Sequence, residues 1–184
     1  ANDYGVVPLT LACTNGNVAM VHRLLRAGAD PNAGDAHDAT PLMFAARTGR
    51  IDVVEALLAR GADGNAVDTA HGQTALMWAV SEGHTDVLRV LLDAGADIHT
   101  QSTQGYTPLL LAVREDHGDS VRALLAREAD INHAAKDGTT SLVLATVLGH
   151  WPLAEWLLVH GADPNADDVG FSALHWAAGV WETA

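Results

Sequence analysis

The sequence is poor in cysteine, in aromatic residues and in basic residues, and it has no long apolar run. Cys13 is the only cysteine, so no disulfide forms within the chain. That removes a disulfide-stapled scaffold and leaves export open. No stretch approaches the roughly 20 apolar residues that span a bilayer, so membrane insertion is not expected. The opening Ala1-Asn2-Asp3-Tyr4 has neither the basic segment nor the apolar stretch of an export signal. A removed signal, or one upstream in a longer parent, remains compatible, and no compartment is assigned. Aromatics make up 5% against 48% hydrophobic residues overall, so Ala, Leu and Val must build the interior. Such residues suit thin, repeated helix contacts better than one large core. Lys+Arg 10 against Asp+Glu 23 gives a formal net charge of -13. An acidic surface repels phosphate backbones and disfavours nucleic-acid binding. It fits a protein partner with a basic patch, or serves solubility alone.

The motifs of common catalytic sites are also missing. There is no Gly-x-Ser-x-Gly elbow, His-Glu-x-x-His pair, phosphate-binding Gly-Lys loop or dinucleotide fingerprint. No cofactor and no catalytic residue is expected.

What the sequence does contain is a period. Val7-Pro8-Leu9, Thr40-Pro41-Leu42, Thr74-Ala75-Leu76, Thr107-Pro108-Leu109, Thr140-Ser141-Leu142 and Ser172-Ala173-Leu174 follow one another at steps of 33, 34, 33, 33 and 32 residues. A second ladder runs through Gly28-Ala29-Asp30, Gly61-Ala62-Asp63, Gly95-Ala96-Asp97, Glu128-Ala129-Asp130 and Gly161-Ala162-Asp163. Two ladders with one period mark a repeat architecture.

Each unit reads as helix, turn, helix, turn. Thr40 offers a side-chain cap, and Pro41 supplies the fixed φ of a first helical position. A short helix then closes near Gly49, where a left-handed conformation is wanted. The second helix carries Val54, Leu57 and Leu58 at the spacing of a buried stripe, repeated as Val21/Leu24/Leu25, Leu88/Leu91/Leu92, Val121/Leu124/Leu125 and Ala154/Leu157/Leu158. Turn-rich segments such as 33–38 suit a projecting hairpin. The aspartates of the Gly-Ala-Asp ladder fit side chains that bond their own backbone.

The segments Thr40-Pro41-Leu42-Met43-Phe44-Ala45-Ala46, Gly61-Ala62-Asp63-Gly64-Asn65-Ala66 and Gly83-His84-Thr85-Asp86-Val87 resemble the ankyrin repeat signature. The Ala-rich, acidic wording resembles long bacterial ankyrin proteins. The resemblance implies an all-α ankyrin-repeat solenoid of about five and a half helix-turn-helix units with projecting β-hairpin loops. As one domain over 1–184, its repeats fall at 2–34, 35–67, 68–101, 102–134, 135–166 and, in part, 167–184.

Some positions depart from the signature. The usual His after Thr-Pro-Leu stands only at His175. Asp116 and Glu128 replace helix-end glycines, at about 1–2 kcal/mol for a side chain in the left-handed region, so the fourth repeat should be weaker unless its turn is rearranged. Val7 replaces the capping Thr, so the first helix should fray. The last unit holds Leu174, Trp176 and Trp181 without a second helix after it. Either the chain belongs to a longer array or the tryptophans close the end; an open end gives weak self-association, a closed one a monomer.

Among ten histidines, His84, His117 and His150 follow the repeat and read as structural. His99 takes the place of Asn32, Asn65, Asn132 and Asn165. His37 and His71 sit at adjacent hairpin tips, near Asp35, Asp38 and Asp68. A metal site or hydrolase there is the alternative reading, although zinc wants three or four ligands and no close-spaced ligand motif supports it. Cys13 matches Ala46 in the second unit and reads as a packed small residue.

In ankyrin proteins a concave face of hairpin tips and first helices binds protein partners, and the resemblance implies the same here: a non-catalytic interaction scaffold. A structural spacer in a longer chain is the other reading. The slots that vary between repeats name the candidate contacts as Tyr4, His37, Arg47, His71, Gln73, Glu82, Gln104, Tyr106, Arg114, Val147, Leu148 and Phe171. Tyr106 with Arg47 and Arg114 supplies hot-spot residue types. Val147, Leu148, Val169 and Phe171 read as an apolar patch, either an interaction site or a surface that further repeats cover.

Overall fold

The computed structural model describes residues 7–166. The expectations placed on Tyr4, Val169, Phe171, Leu174, His175, Trp176 and Trp181 lie outside the described residues. The chain divides into two compact units, Ala1–Thr100 and Gln101–Ala184. The first contains α1 (Pro8–Thr14), α2 (Val18–Arg26), α3 (Pro41–Arg47), α4 (Ile51–Leu58), α5 (Ala75–Ser81) and α6 (Thr85–Asp93). The second contains α7 (Pro108–Arg114), α8 (Gly118–Leu125), α9 (Ser141–Val147) and α10 (Trp151–Val159). Among the described residues no strand is present, so the fold is all-α as the periodicity requires. Within the first unit α1, α3 and α5 pack in sequence, with α2, α4 and α6 as a second layer. In the second unit α7 packs on α8 and α9, and α9 on α10.

Capping follows the sequence. Thr40, Thr74, Thr107 and Thr140 each accept from the backbone N–H three residues on, at 3.4 Å. Such a cap is worth about 1 kcal/mol. Val7 makes no side-chain cap, as its apolar side chain dictates. Gly49 shows why the first helices end in glycine. Its φ is 69°, and a Cβ there would lie 2.7 Å from the His84 ring. The gap lets the next repeat reach back, and His84 Nε2 donates to the Arg47 carbonyl at 3.0 Å.

The second helices bury a stripe rotated from the one expected. Val53/Val54/Leu57, Val87/Leu88/Leu91 and Leu153/Ala154/Leu157 are buried, while Leu58 and Leu92 are half-buried and Leu158 is exposed. At 100° per residue the preceding residue lies closer to the centre of the buried arc than the second leucine does. Two of the three expected residues stay buried in each second helix: Val21 and Leu25, Val54 and Leu57, Leu88 and Leu91, Val121 and Leu124, and Ala154 and Leu157.

The projecting loops are turns and not two-stranded hairpins. One backbone bond closes the base of each: Asp35 to Ala39 (3.1 Å), Asp68 to Gln73 (2.9 Å), Ser102 to Tyr106 (2.9 Å) and Ala135 to Thr139 (3.0 Å). Loops this short leave room for one cross-pair and no ladder. Neighbouring loops are tied by Thr69 N–H to the His37 carbonyl at 2.8 Å and by Lys136 N–H to the Gln104 carbonyl at 3.2 Å. The His37/Ala39 tip turns on Asp38, with φ 58°, where the other described tips use Gly72, Gly105 and Gly138.

A ladder of asparagines joins repeat to repeat. Asn32 donates its amide to the Gly61 carbonyl at 3.0 Å and accepts from Asp63 N–H at 2.8 Å. Asn65 meets Gly95 and Asp97, and Asn132 meets Gly161 and Asp163, in the same way. Each ladder aspartate accepts from the N–H two residues on, including Asp97 from His99 at 2.8 Å. His99 therefore keeps the turn. The amide clamp serves the interface between repeats, which one chain segment alone does not reveal.

Asp116 and Glu128 adopt φ of 56° and 65°, so the fourth repeat keeps its turns with side chains where glycine is favoured. His150 Nδ1 stands 3.8 Å from Asp116 Oδ2, a contact a glycine would lack. Glu128 is exposed. Glu128→Gly is expected to stabilise the chain by about 1 kcal/mol in urea melts; an unchanged or lower midpoint would show that the strain is absent. Asn32→Ala is expected to cost about 1–2 kcal/mol, because two bonds between repeats are lost. A neutral result would leave the amide clamp without energetic weight.

Candidate functional site

The first unit gathers four of the sequence-predicted residues around two that the sequence reading passed over. Phe44 and Arg47 lie three residues apart on α3, hence on one face. Trp78 occupies on α5 the place that Phe44 holds on α3. The two rings meet edge-on at 5.4 Å and 74°. The Arg47 guanidinium lies 5.2 Å from both ring centroids.

Behind Trp78 stands Asp68, with 2% of its side chain exposed. Asp68 Oδ2 accepts from Trp78 Nε1 at 3.3 Å and from Gln73 N–H at 3.2 Å. Its Oδ1 accepts from His71 N–H at 2.6 Å. The carboxylate thus fixes the loop carrying His71 and Gln73 and orients the indole. His37 joins through its carbonyl bond to Thr69, the residue after Asp68. His37, Arg47, His71 and Gln73 therefore belong to one continuous surface. Glu82 caps α5, but its side chain forms no hydrogen bond or ion pair with these residues.

A related arrangement occurs in the second unit. The Arg114 guanidinium lies 5.7 Å over the Tyr106 ring, and its Nε donates to Glu115 Oε1 at 2.8 Å. Burial and the nearby charge of Asp137 push the Tyr106 phenol above its ordinary pKa, against the opposing pull of Arg114. Tyr106 stays a neutral hydrogen-bonding group at physiological pH. Gln104 sits exposed at the same tip. His150 Nε2 donates to the Arg114 carbonyl at 3.2 Å, the counterpart of His84 and Arg47. Two of the histidines read as structural thus share one task. Further along, Val147 and Leu148 are 47% and 45% exposed, with Trp151 also exposed beside them.

Two of the three carboxylates beside the histidine tips are engaged by their own loops, while Asp38 is exposed. Asp35 Oδ1 accepts from His37 N–H at 2.8 Å and Ala39 N–H at 3.1 Å, and Asp68 has three donors. Among the described residues no group of three or more His, Cys, Asp or Glu is placed to hold a metal ion. Cys13 is fully buried, and burial pushes its thiol up to about 12. A thiol so protonated is a poor nucleophile. Among the described residues no helix is long and apolar enough to cross a membrane.

Phe44 and Trp78 left a signal in the sequence. Both are aromatic at a position one turn before the variable slot, where the fourth and fifth repeats carry Leu111 and Leu144. Those leucines are buried, whereas the two aromatics stay half-exposed. Asp68→Ala would leave three N–H donors without their carboxylate. It is expected to destabilise the chain by about 2–3 kcal/mol and to loosen the Trp78 ring, read as a red shift in tryptophan emission. Unchanged emission and stability would detach Asp68 from the indole.

The sequence matches the family model for ankyrin repeats in three copies over residues 1–68 and 64–135, and the single ankyrin repeat model over residues 137–169. No curated protein matches it. Repeats of this kind are generally protein–protein interaction modules and typically not enzymes. Period, helix pairs, caps and family match agree, and the chain belongs to the ankyrin repeat family.

Proposed function

We propose that the chain is a non-catalytic scaffold that binds a protein partner through the loop tips and exposed first-helix positions. The observation that carries this reading is the Phe44–Arg47–Trp78 cluster. A half-exposed Trp and Phe lie under an exposed Arg, in slots that Leu111 and Leu144 fill as buried residues and Leu11 as an exposed one. Trp, Tyr and Arg dominate binding hot spots. Tyr106 and Arg114 repeat the theme in the second unit. The formal charge of -13 favours a partner that is basic overall and speeds its encounter.

A metal-dependent or hydrolytic use of His37 and His71 has less support, because Asp35 and Asp68 are engaged by their own loops. A pure spacer would have no use for the exposed ring cluster.

The test is affinity capture with the wild-type chain and three variants of equal stability. Arg47→Ala/His71→Ala and Gln104→Ala/Tyr106→Ala are expected to lose the captured partner. Glu55→Ala/Arg89→Ala, on exposed second-helix positions, is expected to retain it. Loss only in the last variant would move binding to the opposite helices.

A further inference from the structure

Arg47 and Arg114 end the first helices of the second and fourth repeats, and each guanidinium lies over aromatic rings. Arg47 lies over two rings and is exposed, whereas Arg114 lies over Tyr106 alone and is half-buried, and they also differ in the next residue. Arg114 is followed by Glu115, whose carboxylate accepts from its Nε at 2.8 Å. Arg47 is followed by Thr48, whose hydroxyl turns away to donate to the Ala45 carbonyl at 2.9 Å. Neither acidic side chain beside the cluster pairs with Arg47, although Glu82 is exposed. Asp68 is spent on His71, Gln73 and Trp78, and Glu82 makes no ion pair with it. Among the described residues the Arg47 guanidinium has ring contacts and no hydrogen-bond acceptor.

A guanidinium held flat by two rings has its side-chain entropy reduced before any ligand arrives, and its fork of donors matches a carboxylate in two-point geometry. We propose that Arg47, braced by Phe44 and Trp78, is a receptor for one Asp or Glu side chain of the partner. That carboxylate takes the part that Glu115 plays toward Arg114. An apolar residue beside it would rest on the half-exposed edges of Phe44 and Trp78. The site rests on the protein-binding reading and deepens it by naming what is recognised. It suits a singly charged acid better than a phosphate, because the chain is strongly acidic and a dianion meets more repulsion. A partner basic overall, carrying a single acid at this point, satisfies both the long-range field and the local one.

The probe is a displayed library of random twelve-residue peptides selected on the full chain, with the best binder resynthesised and titrated by fluorescence anisotropy. The expected binder carries Asp or Glu next to an apolar residue. Changing that acid to its amide weakens binding about tenfold, the scale of one charge-assisted hydrogen bond. R47Q weakens it equally, and the two changes together cost no more than either alone. R47K, which keeps the charge and loses the planar fork, gives an intermediate loss. Arg47 is exposed, so these variants keep their fold, checked by melting. Selection of no peptide, of peptides without an acid, or of binders that prefer phosphoserine to glutamate overturns the proposal, as does a binder indifferent to R47Q. If such a binder is still lost on W78A, the loop and first-helix surface stands and only the carboxylate receptor fails. If it ignores W78A and Y106A alike, the surface itself is wrong.

Discussion

Helices of seven to nine residues do not persist alone in water, because nucleating a helix costs more than so few bonds return. Everything in this chain follows from that shortage. Within each unit the first helices pack on the helix beside them in sequence and on their equivalents in the neighbouring repeat. Leu42 and Leu76 in the first unit, and Leu109 and Leu142 in the second, are buried at equivalent repeat positions. Side chains that project from such a stack are released from packing duty, and those are the ones that can vary.

Polar bonds finish what apolar burial begins. The Asn32, Asn65 and Asn132 amides each present a donor and an acceptor to the following repeat. The reach of His84 over Gly49 and of His150 over Asp116 does the same on the side of the first helices. These contacts set repeat against repeat in fixed register. They explain why histidines, asparagines and aspartates recur without forming a chemical site. Ladder aspartates bond their own turns, and Asp68 is drawn inward to hold a tryptophan. Much of the Asn, Asp and His inventory is therefore engaged in construction, while the guanidinium of Arg47 has ring contacts alone.

The two arginine-on-aromatic sites show how a repeat array diversifies. The framework places an arginine at the end of a first helix in both units. What distinguishes them is the next residue, Glu115 in one and Thr48 in the other. One site is electrostatically complete and the other waits for an acid. A single difference in a variable slot changes what the guanidinium contacts, since Glu115 pairs with Arg114 and Thr48 does not pair with Arg47.

The sequence by itself determined the period, the helix pairs, the threonine caps and the left-handed turns at Asp116 and Glu128. Each of these depends on residues a few positions apart, so local rules suffice. It also named His37, Arg47, His71 and Gln73 as variable slots, since comparing repeats within the chain separates framework from surface. Tertiary structure decided the rest. The second-helix stripe rotated toward Val53 and Val87, because burial depends on neighbours on both sides and not on spacing alone. The expected hairpins reduced to turns with one closing bond. Phe44, Trp78 and Asp68 became one cluster across two repeats, separated by a full period in the chain and joined only when one helix lies against the next.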